Sequence, residues 1–348
     1  MLKVTLLPFA VSGRTWRSVT RAPEPDRVSD PDRSGRGRAV RPRLRDPRPG
    51  PERRTDGNCR AGTWFPARKR LVVPAVTLAA LLAASGCDAS KENSGVPRPE
   101  HIVVVIEENR GYDDIIGSAD APYLNELAGE GASLAQFFAI THPSQPNYLA
   151  LFSGSTQGVR GNDCPNTFSA SNLASRLLQE KLTFVGYAQS LPSVGFTGCS
   201  SGAYVRRHNP WVNFSDLPAS LNRPFTHFPS DFDKLPTVSF VVPDLANDMH
   251  DGSVRQADTW LRNNLGDYAR WAMKNNSLLV VTWDEDEGGA DESNHIPTLL
   301  VGEQVRPGSY KEPNNLYGLL RTLLDAYGLE PLGHSAEADP VDVWKNTA

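Results

Sequence analysis

The chain has 348 residues, long enough for two average domains or one large α/β domain, with 36 Lys and Arg against 40 Asp and Glu. The near balance hides a division: residues 1–87 carry 18 basic and 7 acidic residues, and residues 88–348 carry 18 and 33, a net charge of 18 − 33 = −15. So acidic a main body excludes a broad nucleic-acid-binding surface, and it gives no long-range attraction to an anionic substrate.

Residues 1–66 are rich in Arg, Pro, Asp and Gly, as in "RSGRGRAVRPRLRDPRPGPERR", and show no apolar periodicity. Without a core to offset chain entropy, this stretch reads as a disordered basic leader or as an extension from a misassigned start. Residues 67–87 differ. "ARKR" precedes the apolar run "LVVPAVTLAALLAA" and the small residues "SGC". Positive charge, a short apolar run and small residues at its end fit a secretory signal, and a transmembrane helix needs about 20 apolar residues. The residues leading to Cys87 resemble a bacterial lipoprotein signal box, which implies lipidation of Cys87 and a membrane-anchored, extracytoplasmic protein; a transmembrane anchor is the alternative. Residues 88–100, "DASKENSGVPRPE", then form a polar tether ahead of a catalytic domain over 101–348. Export also sets the fate of the thiols. With Cys59 in the leader and Cys87 at the lipid site, Cys164 and Cys199 remain, and in an oxidising compartment they pair as a structural staple. Closing a loop of about 36 residues is worth roughly 3–4 kcal/mol in the chain-entropy model.

From His101 onward, apolar runs alternate with helix-like segments. "HIVVVIEEN" (101–109), "LTFVGYAQ" (182–189), "TVSFVVPD" (237–244), "SLLVVTWDED" (277–286) and "IPTLLVG" (296–302) read as strands covered on both faces. Between them, residues 121–131, 171–181, 253–275 and 314–328 carry apolar residues at helical spacing. The alternation predicts a single three-layer α/β/α sandwich on a mostly parallel sheet. The Pro- and Asn-rich residues 200–235 read as a long excursion near the site.

Three of these strands end in polar groups: Glu107, Glu108 and Asn109; Asp244; and Asp284, Glu285, Asp286 and Glu287. Parallel strands bring such ends to one edge of the sheet, where α/β proteins bind ligands. Carboxylates gathered there repel one another unless a cation lies between them, and hard oxygen donors suit a divalent ion such as Mg, Ca or Mn, with Zn or Fe as alternatives. In "THPSQPNYLALFSGS" (141–155), Ser144 precedes a short amphipathic helix with Pro146 in its first turn. It reads as a helix cap or, beside a cation, as a nucleophile facing free helix-end N–H groups that suit a phosphate.

"VVVIEENRGYDDIIG", "THPSQPNYLALFSG", "VVPDLANDMHDGS" and "VVTWDEDEGG" together resemble the bacterial phosphoesterase family of secreted acid phosphatases and phospholipases C. The likeness runs from His101 to Trp344 and is strongest to the family's actinobacterial phosphatases. It implies an alkaline-phosphatase-like core and hydrolysis of phosphate monoesters, with phosphatidylinositol 3-phosphate a candidate substrate. Carried over by motif, it implies metal binding by Glu108, Asn109, Asp284 and Glu285, with Ser144 as nucleophile. It implies that His250 holds phosphate or protonates the leaving oxygen. Asp244 and Asp248 are candidate ligands or supports for ligands, and His142 is a phosphate contact or a shaper of the turn. His295 matches a position that varies in the phosphatase branch, and Asp286 and Glu287 read as solvated or supporting groups. The chain has no stretch like the extra C-terminal domains of phospholipase C relatives, which favours a monoesterase over a diesterase. A non-catalytic surface lipoprotein that binds a solute or cation is the remaining alternative.

Overall fold

Runs of β-branched and aliphatic residues build the centre of an eight-stranded sheet in the computed structural model, which describes residues 95–288 and 293–345. The basic leader, the signal segment with Cys87 and most of the tether lie outside the described residues. In chain order the sheet strands are β1 (His101–Glu107), β2 (Ala132–Leu134), β3 (Phe184–Ala188), β4 (Asn222–Pro224), β5 (Val238–Val242), β6 (Ser277–Trp283), β7 (Thr298–Gly302) and β8 (Gly308–Tyr310). Across the sheet they lie in the order β8-β2-β7-β6-β1-β5-β3-β4. All point the same way except β7, which is antiparallel to both β6 and β2. Its reversal has a simple cause. The described residues between 284 and 297 form no helix, and a parallel return needs a crossover of a dozen or more residues that is usually helical.

The helices are α1 (Tyr112–Ile115), α2 (Pro122–Glu130), α3 (Ser144–Ser153), α4 (Leu173–Gln179), α5 (Val254–Ala272) and α6 (Leu316–Asp325). α2 packs with α5, which covers β6 and β7, while α3 packs with α6, giving helical layers around a mostly parallel sheet as the alternation predicts. α5 starts where the Ser253 side chain accepts from the Gln256 N–H, and it buries Ala257, Leu261, Leu265, Tyr268 and Ala272 along one stripe.

α3 departs from expectation in two ways. It starts at Ser144 itself, with Pro143 in the cap position, and all ten of its residues are buried. The helix is therefore not amphipathic. It lies between α6 and the short turns Arg206–His208 and Pro210–Asn213 of the excursion. Its polar residues meet partners rather than water: Asn147 Oδ1 accepts from the Ile140 and Thr141 N–H groups at 3.0 Å each. Gly154 ends the helix at φ 70°, where a Cβ would stand 1.8 Å from the Leu332 carbonyl oxygen.

Cys164 and Cys199 are joined in a disulfide. The Cys199 carbonyl accepts from the Arg206 N–H at 2.9 Å, so the staple holds the stretch that leads into the site. Among the described residues, no helix is long and apolar enough to cross a membrane.

Candidate active site

The register of the central strands decides which side chains can meet. Glu107 pairs with Trp283 across β1 and β6, so the next residues, Glu108 and Asp284, leave the sheet side by side. The Asp284 N–H donates to the Glu107 carbonyl at 3.2 Å, and the Asn109 N–H reaches Asp284 Oδ1 at 3.4 Å. Asn109 adopts a left-handed backbone, φ 46°, and its Oδ1 is buried without a partner. Such a conformation is unfavourable for a non-glycine residue and concentrates at functional sites. On the other flank, the Glu108 N–H donates to the Asp248 carbonyl at 2.8 Å, which brings Asp248 to the same edge.

Among the described residues, two groups of side chains that could hold a metal ion result, and Glu108 belongs to both. One is Glu108, Asp284 and Glu285; the other is Glu108, His208 and Asp248. All five are buried. Glu108 Oε1, Asp284 Oδ2, Asp248 Oδ2 and His208 Nε2 lack hydrogen-bond partners, although His208 Nε2 lies 2.7 Å from Glu108 Oε2. Electrostatics reflect the crowding. Burial, then the Asp248 charge, pushes the Glu108 carboxyl up to about 8. Burial also raises Asp284 well above the usual carboxylate range, with the Glu108 charge as second cause, and burial raises Glu285. Carboxylates that resist ionisation together, with oxygens aimed at no donor, fit a cation.

Ser144 stands at this centre. Its hydroxyl donates to Glu285 Oε1 at 2.9 Å, and the serine is 2% exposed. Tyr148, one turn further along α3, stacks on His208 at 5.1 Å and extends its hydroxyl to within 3.5 Å of Glu108 Oε2. The helix-end amides are less free than the sequence implied, since the Gln145 N–H donates to Asn162 Oδ1 at 3.0 Å.

The remaining predicted residues divide. His142 turns its ring to the acidic loop, with Nδ1 2.5 Å from Glu285 Oε2 and Nε2 3.5 Å from Asp286 Oδ1, so it orients Glu285. Asp248 joins the centre. Asp244 does not: it accepts from Ser190 Oγ at 2.6 Å and from Asn247 Nδ2 at 2.9 Å, capping its own turn. His250 lies beside His208, with ring centroids 5.9 Å apart. His295 stacks on Tyr112 and bonds the Ala135 carbonyl, a structural setting. Glu287 is exposed and pairs with Arg110. Glu107, grouped with the strand-end acids by sequence, is also apart from both ligand groups; it is buried with neither carboxyl oxygen bonded.

His208 and Tyr148 are the members that the sequence reading missed. His208 sits in "RRHNPW" (206–211), inside the excursion, where the density of polar residues near Pro is the one available signal.

A buried serine and a carboxylate-lined centre thus lie at the carboxyl edge of a mostly parallel sheet, where α/β proteins bind ligands. The chain belongs to the phosphoesterase family, whose model matches residues 118–330. It is 52% identical over 255 residues to a phosphatidylinositol-3-phosphatase of Mycobacterium tuberculosis, covering 72% of this chain and 85% of that one. An acid phosphatase of Aspergillus fumigatus is 31% identical over 248 residues, 65% of this chain and 54% of the relative. Among solved structures, a Vibrio parahaemolyticus protein of the alkaline phosphatase superfamily aligns with a TM-score of 0.49 and 16% identity over 69% of each chain. By family and relatives, the chain is a phosphatase.

Proposed function

We propose that this phosphatase hydrolyses phosphate monoesters through a phosphoserine at Ser144, and that it does so outside the cytoplasm, anchored to the membrane by a lipid on Cys87. The observation that carries the catalytic reading is the 2.9 Å hydrogen bond from the Ser144 hydroxyl to Glu285, inside a cluster of buried carboxyl oxygens that lack donors. The phosphatidylinositol-3-phosphatase relative makes a phosphoinositide monoester the first substrate to try.

Glu108, Asp284 and Glu285, with Asn109 beside them, are the residues that would hold a divalent cation, and His208 with Asp248 extends the donor set from the other side of Glu108. The oxygen-only group suits Mg, Ca or Mn, whereas a set including imidazole also suits Zn or Fe. When bound, a cation supplies positive charge that lowers the hydroxyl pKa and offsets charge on the phosphoryl group.

In the first step Ser144 Oγ forms a bond to phosphorus while its proton passes along the hydrogen bond to Glu285. The phosphorus–ester oxygen bond breaks, and the leaving oxygen takes up a proton as the alcohol. In the second step water attacks phosphorus, the phosphorus–Oγ bond breaks, Ser144 regains its proton and inorganic phosphate departs. His142 keeps Glu285 aimed at Ser144 throughout.

The test is acid-quench trapping of labelled phosphate during turnover of an aryl phosphate, followed by peptide mapping. Label on Ser144 is the expected result; label on another residue, or none during a measured burst, overturns the nucleophile. Parallel assays on phosphatidylinositol 3-phosphate vesicles and a phosphocholine diester, with and without chelator, report substrate class, and faster diester cleavage would overturn the monoesterase reading. Fractionation of cells carrying Cys87→Ala tests the anchor: release from membranes or blocked processing is expected, and a mature protein that keeps residues 1–66 without lipid refutes it.

A further inference from the structure

Arg206 and Arg207 are consecutive, but only the first is fully spent on structure. Arg206 donates from Nε to Asn213 Oδ1 at 3.0 Å, from Nη1 to the Thr197 carbonyl at 2.7 Å, and from Nη2 to the Asn166 and Val212 carbonyls at 2.7 and 3.2 Å. It ties the excursion together. Arg207 is half-buried, and its Nε is buried without a hydrogen-bond partner, a costly arrangement unless something else supplies an acceptor.

What Arg207 does touch fixes its direction. Its Nη2 lies 3.3 Å from His250 Nε2, while His250 Nδ1 lies 2.7 Å from Asp251 Oδ1. An ionised carboxylate only accepts, so Nδ1 carries the ring proton; a guanidinium only donates, so Nε2 offers its lone pair. Asp251, His250 and Arg207 thus form a chain of one polarity that aims a guanidinium. His208, next along the backbone from Arg207, reaches Glu108 at 2.7 Å, and the positive charge of Arg207 acts on Glu108 directly. A fork-shaped donor with an unpartnered Nε, next along the chain from a residue that reaches Glu108, suits an oxygen-rich anion.

We infer that Arg207 grips the phosphoryl oxygens of the substrate and of the phosphate product, and that His250, backed by Asp251, positions Arg207 instead of donating a proton to the leaving group. The inference rests on the phosphatase reading above and narrows the two roles left open for His250. The ligand class is a phosphate monoester or free phosphate, held by paired charge-assisted hydrogen bonds.

Calorimetric binding of inorganic phosphate to the full chain loaded with Mn tests it, with kcat and KM for an aryl phosphate measured beside it. Arg207→Ala should weaken phosphate binding roughly 10- to 100-fold, as loss of a bidentate charged contact does, with metal content and melting temperature unchanged. Added guanidinium should restore part of the affinity, and Arg207→Lys should recover less than the parent because it lacks the fork. His250→Leu should lower both kcat and phosphate affinity, and His250→Gln, whose oxygen can accept from Arg207, should restore a large part of each relative to Leu. Parental phosphate affinity in folded, metal-loaded Arg207→Ala overturns the assignment. A large loss of kcat in His250→Gln with phosphate affinity intact overturns the positioning role. If the parent itself neither binds phosphate nor turns over the ester, the phosphatase reading falls with it; an active parent with an indifferent Arg207→Ala sinks this inference alone.

Discussion

Glu108, Asp284 and Glu285 leave the ends of neighbouring parallel strands, so the sheet's backbone hydrogen bonds fix their spacing. Arg207, His208 and Asp248 face them from irregular chain, fixed by side-chain hydrogen bonds, by the Asp248 carbonyl on Glu108 and by the disulfide near Arg206. One flank of the centre is thus set by regular secondary structure, and the other by many individually weak local contacts. The first should tolerate change around it and fail only when its own ligands change. The second should respond to disruptions at a distance.

Ser144 belongs to neither flank, and its loss gives the largest effect. Ser144→Ala removes the proposed attacking oxygen while both proposed ligand groups remain, so turnover of an aryl phosphate should fall by roughly a thousandfold or more, with cation binding retained. Near-parental turnover in the folded variant would remove the hinge between the two sides. Next comes the strand flank itself. Asp284→Asn should cost Mn affinity and activity together, roughly 10- to 100-fold each, whereas Asp244→Asn and Glu287→Gln, whose side chains serve a turn and an exposed ion pair, should change either by less than about threefold. Equal losses in all three would show that general acidity, and not the strand register, makes the site.

The excursion flank is sharpened by the staple. A double Cys164→Ser, Cys199→Ser variant should lose roughly 3 kcal/mol of stability in chemical denaturation, and its phosphate affinity should drop more than its Mn affinity. An unchanged ratio would mean that the disulfide does not hold the Arg207 side. The smallest expected effect is the pH response of metal-free protein. Folded Glu108 has its pKa raised to about 8, above its unfolded value, mainly by burial. Between the two values the folded state binds more protons than the unfolded one, so stability falls as pH rises from about 5 to 8. Melting temperatures across that range should decline without metal and decline less with Mn present; a flat metal-free profile would contradict the crowding at Glu108.

The same contrast explains how much could be read from the chain. Near-continuous apolar runs announced the central strands, and polar residues just past their ends pointed to Glu108, Asp284 and Glu285, because period and direction do the placing. His208, Arg207 and Tyr148 carried no such signal. The first two sit in chain without periodicity, and Tyr148 reads as an ordinary core aromatic until its hydroxyl is seen beside Glu108. The reversal of β7 was hidden because an apolar run does not encode its direction. The burial of α3 was hidden because Gln145, Asn147 and Ser153 look solvent-facing on a helix, yet Asn147 and Ser153 bond neighbouring backbone.

The complete burial of α3 has a consequence for anyone who wishes to redesign the enzyme. A helix with no free face has no neutral positions, so random substitution along Ser144–Ser153 mostly samples folding failure and seldom new selectivity. Variation belongs at exposed positions such as Val194, Asp216 and Ala219, where side chains can change size without disturbing the helix that carries Ser144.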